Sequence, residues 1–277
     1  MLKTVVEERC PICGQQARFQ IDEGAALLRE AGCEHCGVSL RTADVVECLL
    51  KRMQEEPLQT TLGEAARKHT GLQVLNMFSE GPIHAAFKGL PGYRFGEYFD
   101  GVPSGDSKDG VLCIDLQNIP FAENRFDFVI TEDVLEHVGD SQQAFAEIAR
   151  VLKPGGWHIF TVPVHEGHRT QHRDADHPVY HGDPLREQGA MVVTDFGDDL
   201  PELLQAVGMD TEVTEAHRFY SPQEVCWLDD EKDYAVYLQN RDNLLRAFRY
   251  NSFVFAAQKR KAGVLSRLYH QVMNIME

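Results

Sequence analysis

The sequence predicts an α/β fold in which a parallel sheet carries helices on both faces, preceded by a small N-terminal module. Three observations support this prediction. Residues 126–162 read as a strand, a helix and a second strand, acidic side chains follow several apolar runs, and four cysteines form two close pairs near the N-terminus. Consecutive parallel strands need a crossover connection, and buried strands read as short apolar runs.

The strand–helix–strand unit is the clearest local pattern. Phe128–Ile130 is an apolar run short enough for a buried strand, and it leads into Glu132 and Asp133. Asp140 can cap a helix whose apolar side chains recur at helical spacing up to Leu152. A Lys-Pro-Gly-Gly run then stops the helix, and the next apolar run predicts another strand. Polar groups thus gather at the carboxyl end of a strand, where open α/β sheets bind ligands.

Composition limits the possible functions. The chain has 277 residues and a formal net charge of −16, which argues against a broad nucleic-acid footprint because such partners require a basic face. The sequence contains no run of about 20 apolar residues that would span a membrane. Residues 1–9 lack the apolar core of a signal peptide, so we expect a cytoplasmic protein with reduced cysteines.

The two cysteine pairs predict a zinc ribbon over residues 1–43. Cys10 and Cys13 form one CxxC knuckle, Cys33 and Cys36 form the other, and nineteen residues separate the pairs. A two-residue gap lets both thiolates of a knuckle reach one ion, and the glycine after each pair permits the tight turn. Four thiolates leave no open coordination position, so the site is predicted to be structural. We expect His35, between the second pair, to be a bystander.

Residues 44–70 are predicted to connect the ribbon to the main domain, which extends from residue 71 to residue 260. The connector carries helical patterns at 44–53 and 62–69. The main domain should begin with a strand and turn over 73–82, a helix over 83–90, and strands over 93–98 and 111–116.

Polar residues follow each of these three predicted strands. Asn76–Glu80 follows the first strand, Glu97 the second and Asp115 the third. A carboxylate beyond the second strand can accept both hydroxyls of a ribose, and one beyond the third can accept an adenine amino group. The turn beyond the first strand lets the backbone approach the charged end of a nucleoside ligand.

Four segments resemble the class I S-adenosylmethionine-dependent methyltransferases, in particular those with a type-11 methyltransferase domain. They are Asp115–Phe121, Asn124–Ile130, Val134–Val138 and Leu152–Gly156. The resemblance extends from about residue 72 to residue 258, and an N-terminal zinc ribbon is similar to that of a subset of this group. It implies a Rossmann-like sheet of seven strands, in which 211–214 and 252–257 form an antiparallel edge.

The resemblance also implies the cofactor S-adenosylmethionine and a set of residues around it. Glu97 would bind the ribose, Asp115 the adenine, and the turn at 78–81 the amino-acid end. Glu132 and Asp133 would line the sulfonium or the acceptor. The residues expected to contact the cofactor are Asn76, Phe78, Ser79, Glu80, Gly81, Glu97, Tyr98, Asp115, Leu116, Glu132, Asp133 and His137. The first loop has one glycine where the family usually has three, which puts the affinity for the cofactor in doubt more than the fold.

A histidine-rich segment follows the predicted fifth strand and leaves the same edge of the sheet. Five histidines fall within 17 residues, from His165 to His181. In one interpretation His165 or His181 acts as general base on an acceptor hydroxyl or amine. A second metal site and a solvated polar loop are the alternatives.

Two further segments have open roles. Residues 220–248 are rich in aromatic side chains and form either a lid or a helix packed on the sheet. The C-terminal helix, residues 261–277, is amphipathic and suits packing or dimerisation better than a membrane surface.

Together these features predict a methyltransferase acting on a small molecule or sugar. The alternative is a non-catalytic module that lost cofactor binding through its altered first loop and uses its zinc ribbon to bind a protein partner.

Overall fold

The computed structural model describes residues 2–22, 28–165, 167–173, 179–183, 186–214 and 253–261. The strands are β1 (Leu2–Arg9), β2 (Gln16–Asp22), β3 (Gly32–Cys33), β4 (Val74–Asn76), β5 (Tyr93–Phe95), β6 (Ser107–Lys108), β7 (Val111–Leu112), β8 (Phe126–Glu132), β9 (Leu152–Thr161), β10 (Val164–His165), β11 (Gln171–His172), β12 (Val179–Asp183), β13 (Arg186–Val192), β14 (Thr194–Gly197), β15 (Met209–Thr214) and β16 (Val254–Lys259). The helices are α1 (Leu40–Arg52), α2 (Leu62–Lys68), α3 (Gly81–Phe87), α4 (Ser141–Val151) and α5 (Leu200–Ala206), with 3₁₀ turns at Leu28–Glu30 and Leu135–His137.

The central sheet has six strands in the order β15-β16-β9-β8-β4-β5. Strands β4, β5, β8 and β9 are parallel to one another, and β16 is antiparallel to both β9 and β15. This arrangement confirms the predicted parallel sheet with helices on both faces and an antiparallel edge. The carboxyl ends of the four parallel strands consequently meet at one edge of the sheet.

The predicted third strand over 111–116 does not form as a regular strand, so the expected seven-stranded sheet has six strands among the described residues. Val111–Leu112 instead pairs with β6, and only Cys113 forms an isolated parallel bridge to Glu97. The side chain of Ser104 binds the backbone N–H of Asp115 at 3.0 Å, and the Asp115 carboxylate accepts the backbone N–H of Gln117 at 2.8 Å. These side-chain bonds turn the chain away from the sheet.

Each face of the sheet has its own apolar core. One core holds α4 and α5, with Phe145 and Leu204 fully buried against the strands. The other holds α1, α2 and α3, and Leu49 of α1 is buried in the same cluster as Ile159 of β9. Helix α1 is therefore part of a sheet face, and it starts at Leu40 rather than at residue 44 because Ser39 caps it.

The N-terminal module forms a separate three-stranded antiparallel sheet, ordered β1-β2-β3. Its own small core includes the fully buried Phe19 and the first turn of α1, through Leu40 and Ala43. One helix thus belongs to two cores, which fixes the module against the central sheet. The apolar residues in the first turn of α1 pack in the core of the module, and those in its later turns pack on the face of the central sheet.

A further group of short strands, β10 to β14, lies between β9 and α5. It contains the histidine-rich segment, and β14 pairs with both β10 and β11. The segment 220–248 and the C-terminal helix predicted from the sequence lie outside the described residues. In the part of the chain that the structure describes, the helices are too short or too polar to span a bilayer.

Candidate functional site

The carboxyl edge of the sheet brings together three residues that the sequence placed at strand ends. Asn76 ends β4, Glu97 follows β5, and Asp115 follows the residues that bridge to Glu97. The pairing of Asn76 with Phe95 and of Glu97 with Cys113 sets the three side chains on adjacent extended segments. The structure therefore brings the three residues to one edge of the sheet, and their roles toward a cofactor stay a prediction.

Asn76 is the most deeply placed of the three. Its side chain is buried and its amide nitrogen donates to the carbonyl of Phe78 at 2.9 Å and to the hydroxyl of Tyr93 at 3.2 Å. Burial raises the pKa of Tyr93 to about 12, so this phenol stays protonated. The buried Oδ1 of Asn76 has no hydrogen-bond partner. Such an orphaned acceptor suits an incoming N–H donor.

The first loop folds back onto the acid of the second strand. Ser79 donates its backbone N–H to Glu97 Oε1 at 3.2 Å and bonds the same oxygen through its hydroxyl. Gly81 has φ 84°, a conformation that favours glycine, and a side chain there would meet open space. Glu80 precedes α3 without capping it through its side chain. A single glycine thus suffices to start α3 after a serine-lined turn.

Asp115 is held by its own turn. Its Oδ1 accepts from the backbone N–H of Gln117 at 2.8 Å and from the side-chain amide of Gln117 at 3.1 Å. Leu116 is buried behind it, whereas Tyr98 is 47% exposed beside the neighbouring strand end. Asp115 and Glu97 are both half-buried, so the edge between them is open to a ligand.

The two acids at the end of β8 contact the N-terminal module. Asp133 Oδ2 lies 2.8 Å from Arg29 Nη2 and 2.9 Å from Arg41 Nη1, and its Oδ1 accepts the Thr161 hydroxyl at 2.8 Å. Glu132 Oε2 accepts the Thr42 hydroxyl at 2.7 Å. Their predicted role toward the cofactor or acceptor stays a prediction, but in this structure both carboxylates fasten the module to the sheet edge.

Electrostatics separates the two acids. Burial alone would raise the pKa of Asp133, but the guanidinium groups of Arg29 and Arg41 outweigh burial and lower it. Burial raises the pKa of Glu132, despite the nearby Arg41. The two pKa values therefore move in opposite directions, and Asp133 is the acid whose charged form the two arginines stabilise. Its φ of 49° places it in the left-handed region, which Asp tolerates better than most residues.

Glu136 is a buried acid that the sequence reasoning did not select. It belongs to the 3₁₀ turn after β8, its exposure is 0%, and neither carboxylate oxygen has a hydrogen-bond partner. Burial, and then the charge of Asp133, raise the pKa of Glu136 to about 8. The only signal for Glu136 in the sequence is its place beside His137 in the family-like segment Val134–Val138. That segment led to the selection of His137 and not of Glu136.

The neighbouring histidines are tied to the histidine-rich segment. His137 Nδ1 lies 2.8 Å from the carbonyl of Met191, so the 3₁₀ turn is anchored to β13. His165 is exposed, with Nε2 3.3 Å from Asp195 Oδ1. His181 pairs with Ala190 through the backbone of β12, and its side chain lies outside the description. The general-base role of His165 or His181 stays a prediction.

The four cysteines of the predicted ribbon come together as one cluster. Their sulfur atoms all lie within 4.8 Å of one another, with Cys10 to Cys36 at 3.8 Å and Cys13 to Cys33 at 3.9 Å. A tetrahedral site with Zn–S bonds of about 2.3 Å sets sulfurs roughly 3.8 Å apart. The glycine after each knuckle has a positive φ, as predicted: 75° at Gly14 and 73° at Gly37. Among the described residues this is the only such group of metal-ligating side chains.

Comparison with known proteins matches part of the chain to one family. Residues 102–160 match the family described as "Methyltransferase domain", Methyltransf_11. Dimethylglycine N-methyltransferase of Parasynechococcus marenigrum is 40% identical over 49 residues, covering 18% of this chain and 18% of that protein. Sterol 24-C-methyltransferase ERG6B of Gibberella zeae is 28% identical over 163 residues, covering 54% of this chain and 39% of that protein. The chain thus spans well under half the length of these curated relatives.

Solved structures are similar at a lower level of identity. An S-adenosylmethionine-dependent methyltransferase from Mesorhizobium loti is 13% identical with a TM-score of 0.39, covering 68% of this chain and 91% of that one. The segment 102–160 includes Asp115, β8, α4 and most of β9, so the family match falls on the centre of the sheet and on its carboxyl edge. The match to the Methyltransf_11 family therefore covers residues 102–160 of this chain, which also carries a four-cysteine cluster.

Proposed function

We propose that the protein is an S-adenosylmethionine-dependent methyltransferase that acts on a small molecule or sugar. The observation that carries this proposal is the alignment of Asn76, Glu97 and Asp115 along one sheet edge, beside the segment matched to the methyltransferase family. The three side chains offer the acceptors that a nucleoside with an ammonium end requires.

The residues present fit the cofactor. The unpartnered Oδ1 of Asn76 offers an acceptor for the ammonium group. Ser79 occupies only Oε1 of Glu97, and Gln117 only Oδ1 of Asp115, which leaves one oxygen of each for ribose and adenine. The turn at Phe78 to Gly81 opens to solvent next to them. The proposed site thus keeps an acceptor at every position despite the missing glycines.

The reaction follows from this placement. When bound, the cofactor supplies an electrophilic methyl group on a sulfonium. The chain's own residues hold the nucleoside at the strand ends, and β13 and the residue after it pack on the 3₁₀ turn beyond β8. Alignment of the acceptor with the methyl group supplies most of the rate enhancement, because methyl transfer needs an in-line approach. A hydroxyl acceptor also needs a base, for which His165 and His181 are the candidates from the sequence.

A small acceptor suits this chain better than nucleic acid. The net charge of the chain is −16, and such a chain repels a polyanion over its surface as a whole. The names of the two curated relatives refer to dimethylglycine and a sterol, which are small molecules.

Binding of S-adenosylhomocysteine tests the proposed site. We expect calorimetry to detect saturable binding to the whole chain and Glu97→Ala or Asp115→Ala to weaken it at least about tenfold, because each removes a charge-assisted hydrogen bond. Glu123→Ala is the matched control, since Glu123 is an exposed acid that precedes β8 at the opposite edge of the sheet. Unchanged affinity in both site variants would show that the site is misplaced. No binding at millimolar ligand would favour the non-catalytic module.

We also propose that the four cysteines hold a structural zinc ion. Protein purified without chelator should contain about one zinc per chain, and Cys13→Ser should lose it, since a tetrathiolate site tolerates no missing ligand. Cys48→Ser is the control, because Cys48 is a buried cysteine of α1 outside the cluster. Metal analysis that gives no zinc in the unaltered protein would remove this assignment.

A further inference from the structure

Glu136 is the buried group that neither the fold nor the proposed site accounts for. The residue is fully buried, and both carboxylate oxygens lack a hydrogen-bond partner. Asp133, Arg29 and Arg41 act on Glu136 through their charges. The ion pair that it forms within 4 Å is with His137, whose Nε2 lies 3.8 Å from Oε1, too far for a hydrogen bond. Buried carboxyl groups without partners are rare and costly, so each one calls for an explanation.

The nearby arginines do not satisfy Glu136, because they are committed to another acid. Arg29 and Arg41 both contact Oδ2 of Asp133, at 2.8 and 2.9 Å, and Thr161 occupies its other oxygen. Asp133 is therefore the acid that holds the N-terminal module in place. Glu136 lies next to this ion cluster but forms no ion pair with either arginine. Holding the N-terminal module therefore does not explain Glu136.

Three parts of the chain meet around Glu136. Its own carbonyl accepts the backbone N–H of Val193 at 2.7 Å, which holds it against the connection between β13 and β14. The adjoining cluster at Asp133 brings in the N-terminal module. The 3₁₀ turn itself follows β8, whose neighbour β4 ends in Asn76. Glu136 thus lies on the edge that would hold the nucleoside, on the side covered by the two additional parts of the chain.

We propose that Glu136 binds the N–H or O–H group of the methyl acceptor and receives its proton during transfer. This inference rests on the proposed function and names the chemistry of its substrate. A new bond forms between the acceptor nitrogen or oxygen and the methyl carbon while the carbon–sulfur bond breaks. The sulfur keeps that electron pair and becomes a neutral thioether. The acceptor's proton goes to the Glu136 carboxylate, which becomes a carboxylic acid.

The electrostatic surroundings agree with this role. Burial and Asp133 raise the pKa of Glu136, while Arg29 and Arg41 oppose them and His137 is the neighbouring titratable group. A base that changes charge near neutral pH transfers protons most effectively. The substrate class that follows is a hydroxyl or amine compound, since an acceptor without a donor hydrogen would leave the carboxylate unpaired.

The test compares two ligands that differ at the transfer point. Sinefungin carries an amine at the position of the methylsulfonium, whereas S-adenosylhomocysteine has only a thioether there. We expect Glu136→Gln to weaken sinefungin binding about tenfold at pH 8.5 while S-adenosylhomocysteine affinity stays within about twofold, because only the amine meets the carboxylate. Glu136→Asp, which keeps a carboxyl group, should retain part of the preference for sinefungin. Near-ultraviolet circular dichroism checks that both variants are folded.

The outcomes separate this inference from the proposed function. If the unaltered protein binds S-adenosylhomocysteine and Glu136→Gln weakens both ligands equally, the assignment of Glu136 is wrong and the cofactor site stands. If the unaltered protein binds neither ligand, the proposed function fails and the assignment fails with it. Methylation assays with panels of hydroxyl and amine compounds distinguish the two acceptor types. If the protein methylates carbon acceptors and no hydroxyl or amine compound, the inference is also overturned.

Discussion

Asp133→Asn is expected to lower the free energy of unfolding by about 3–5 kcal/mol. The substitution keeps the shape of the side chain and the tolerance for a positive φ, so the backbone at 49° is not strained further. It removes the charge that Arg29 and Arg41 share, and both guanidinium groups are largely buried, with side-chain exposures of 12% and 23%. Glu30 still contacts both guanidinium groups at 3.4 Å, but it is 41% exposed and compensates the two buried cations less well than Asp133 does, which accounts for the loss. Urea unfolding at neutral pH measures it.

Asp210→Asn is the matched control for this variant. Asp210 also pairs with an arginine, Arg260, at 2.7 Å, but the two side chains are 65% and 45% exposed. An exposed ion pair contributes about 1 kcal/mol or less, so this control should change stability little. Equal losses in both variants would contradict the view that Asp133 fastens the N-terminal module to the sheet.

Glu136→Gln is expected to change how stability depends on pH. The pKa of Glu136 is raised from 4.5 to about 8, chiefly by burial. A raised pKa means that the folded state holds the proton more tightly, so this contribution to stability is complete below pH 4.5 and is lost as the pH rises through 8. Glutamine cannot ionise. The variant should therefore become more stable relative to the unaltered protein between about pH 5 and pH 9, by a few kcal/mol.

Glu147→Gln serves as the control with the opposite sign. The hydrogen bonds from Arg150 lower the pKa of Glu147, so its contribution is present above the usual pKa and is lost only in acid. The stability difference for this control should stay constant from about pH 5.5 upward. Thermal unfolding in a series of buffers measures both variants. A constant difference for Glu136→Gln over the same range would show that Glu136 is not protonated in the folded protein at neutral pH.

Local sequence patterns were sufficient for the features that depend on neighbouring residues. The cysteine knuckles follow from a two-residue gap and a glycine, and the structure places all four sulfurs together. Helix α4 begins after its predicted cap, Asp140. The side-chain oxygen Oδ1 of Asp140 accepts the backbone N–H of Gln143, three residues further along the chain. Glu97 could be placed just beyond β5 because the length of a short buried strand is visible in the sequence.

Features that depend on distant residues could not be obtained in this way. No pattern in the sequence indicates that Glu132 and Asp133 contact Thr42 and Arg41, which lie 90 and 92 residues away. Their role toward the cofactor or acceptor stays a prediction. The third strand looked regular, yet the side chain of Ser104 ends it by taking the backbone N–H of Asp115. Neither kind of contact leaves a periodic pattern in the sequence, because each joins a single side chain to a segment that is distant along the chain.

The sequence by itself determined that this chain has an N-terminal module with a four-cysteine cluster, a parallel sheet and an acid just beyond β5, because spacing and apolar periodicity encode these features locally. Only the tertiary structure decided that α1 serves two cores, that Arg29 and Arg41 neutralise Asp133, and that Glu136 is buried without a partner. The burial of a side chain and its ion pairs depend on which distant segments of the chain pack together. The same packing determines which of the neighbouring acids is stabilised in its charged form.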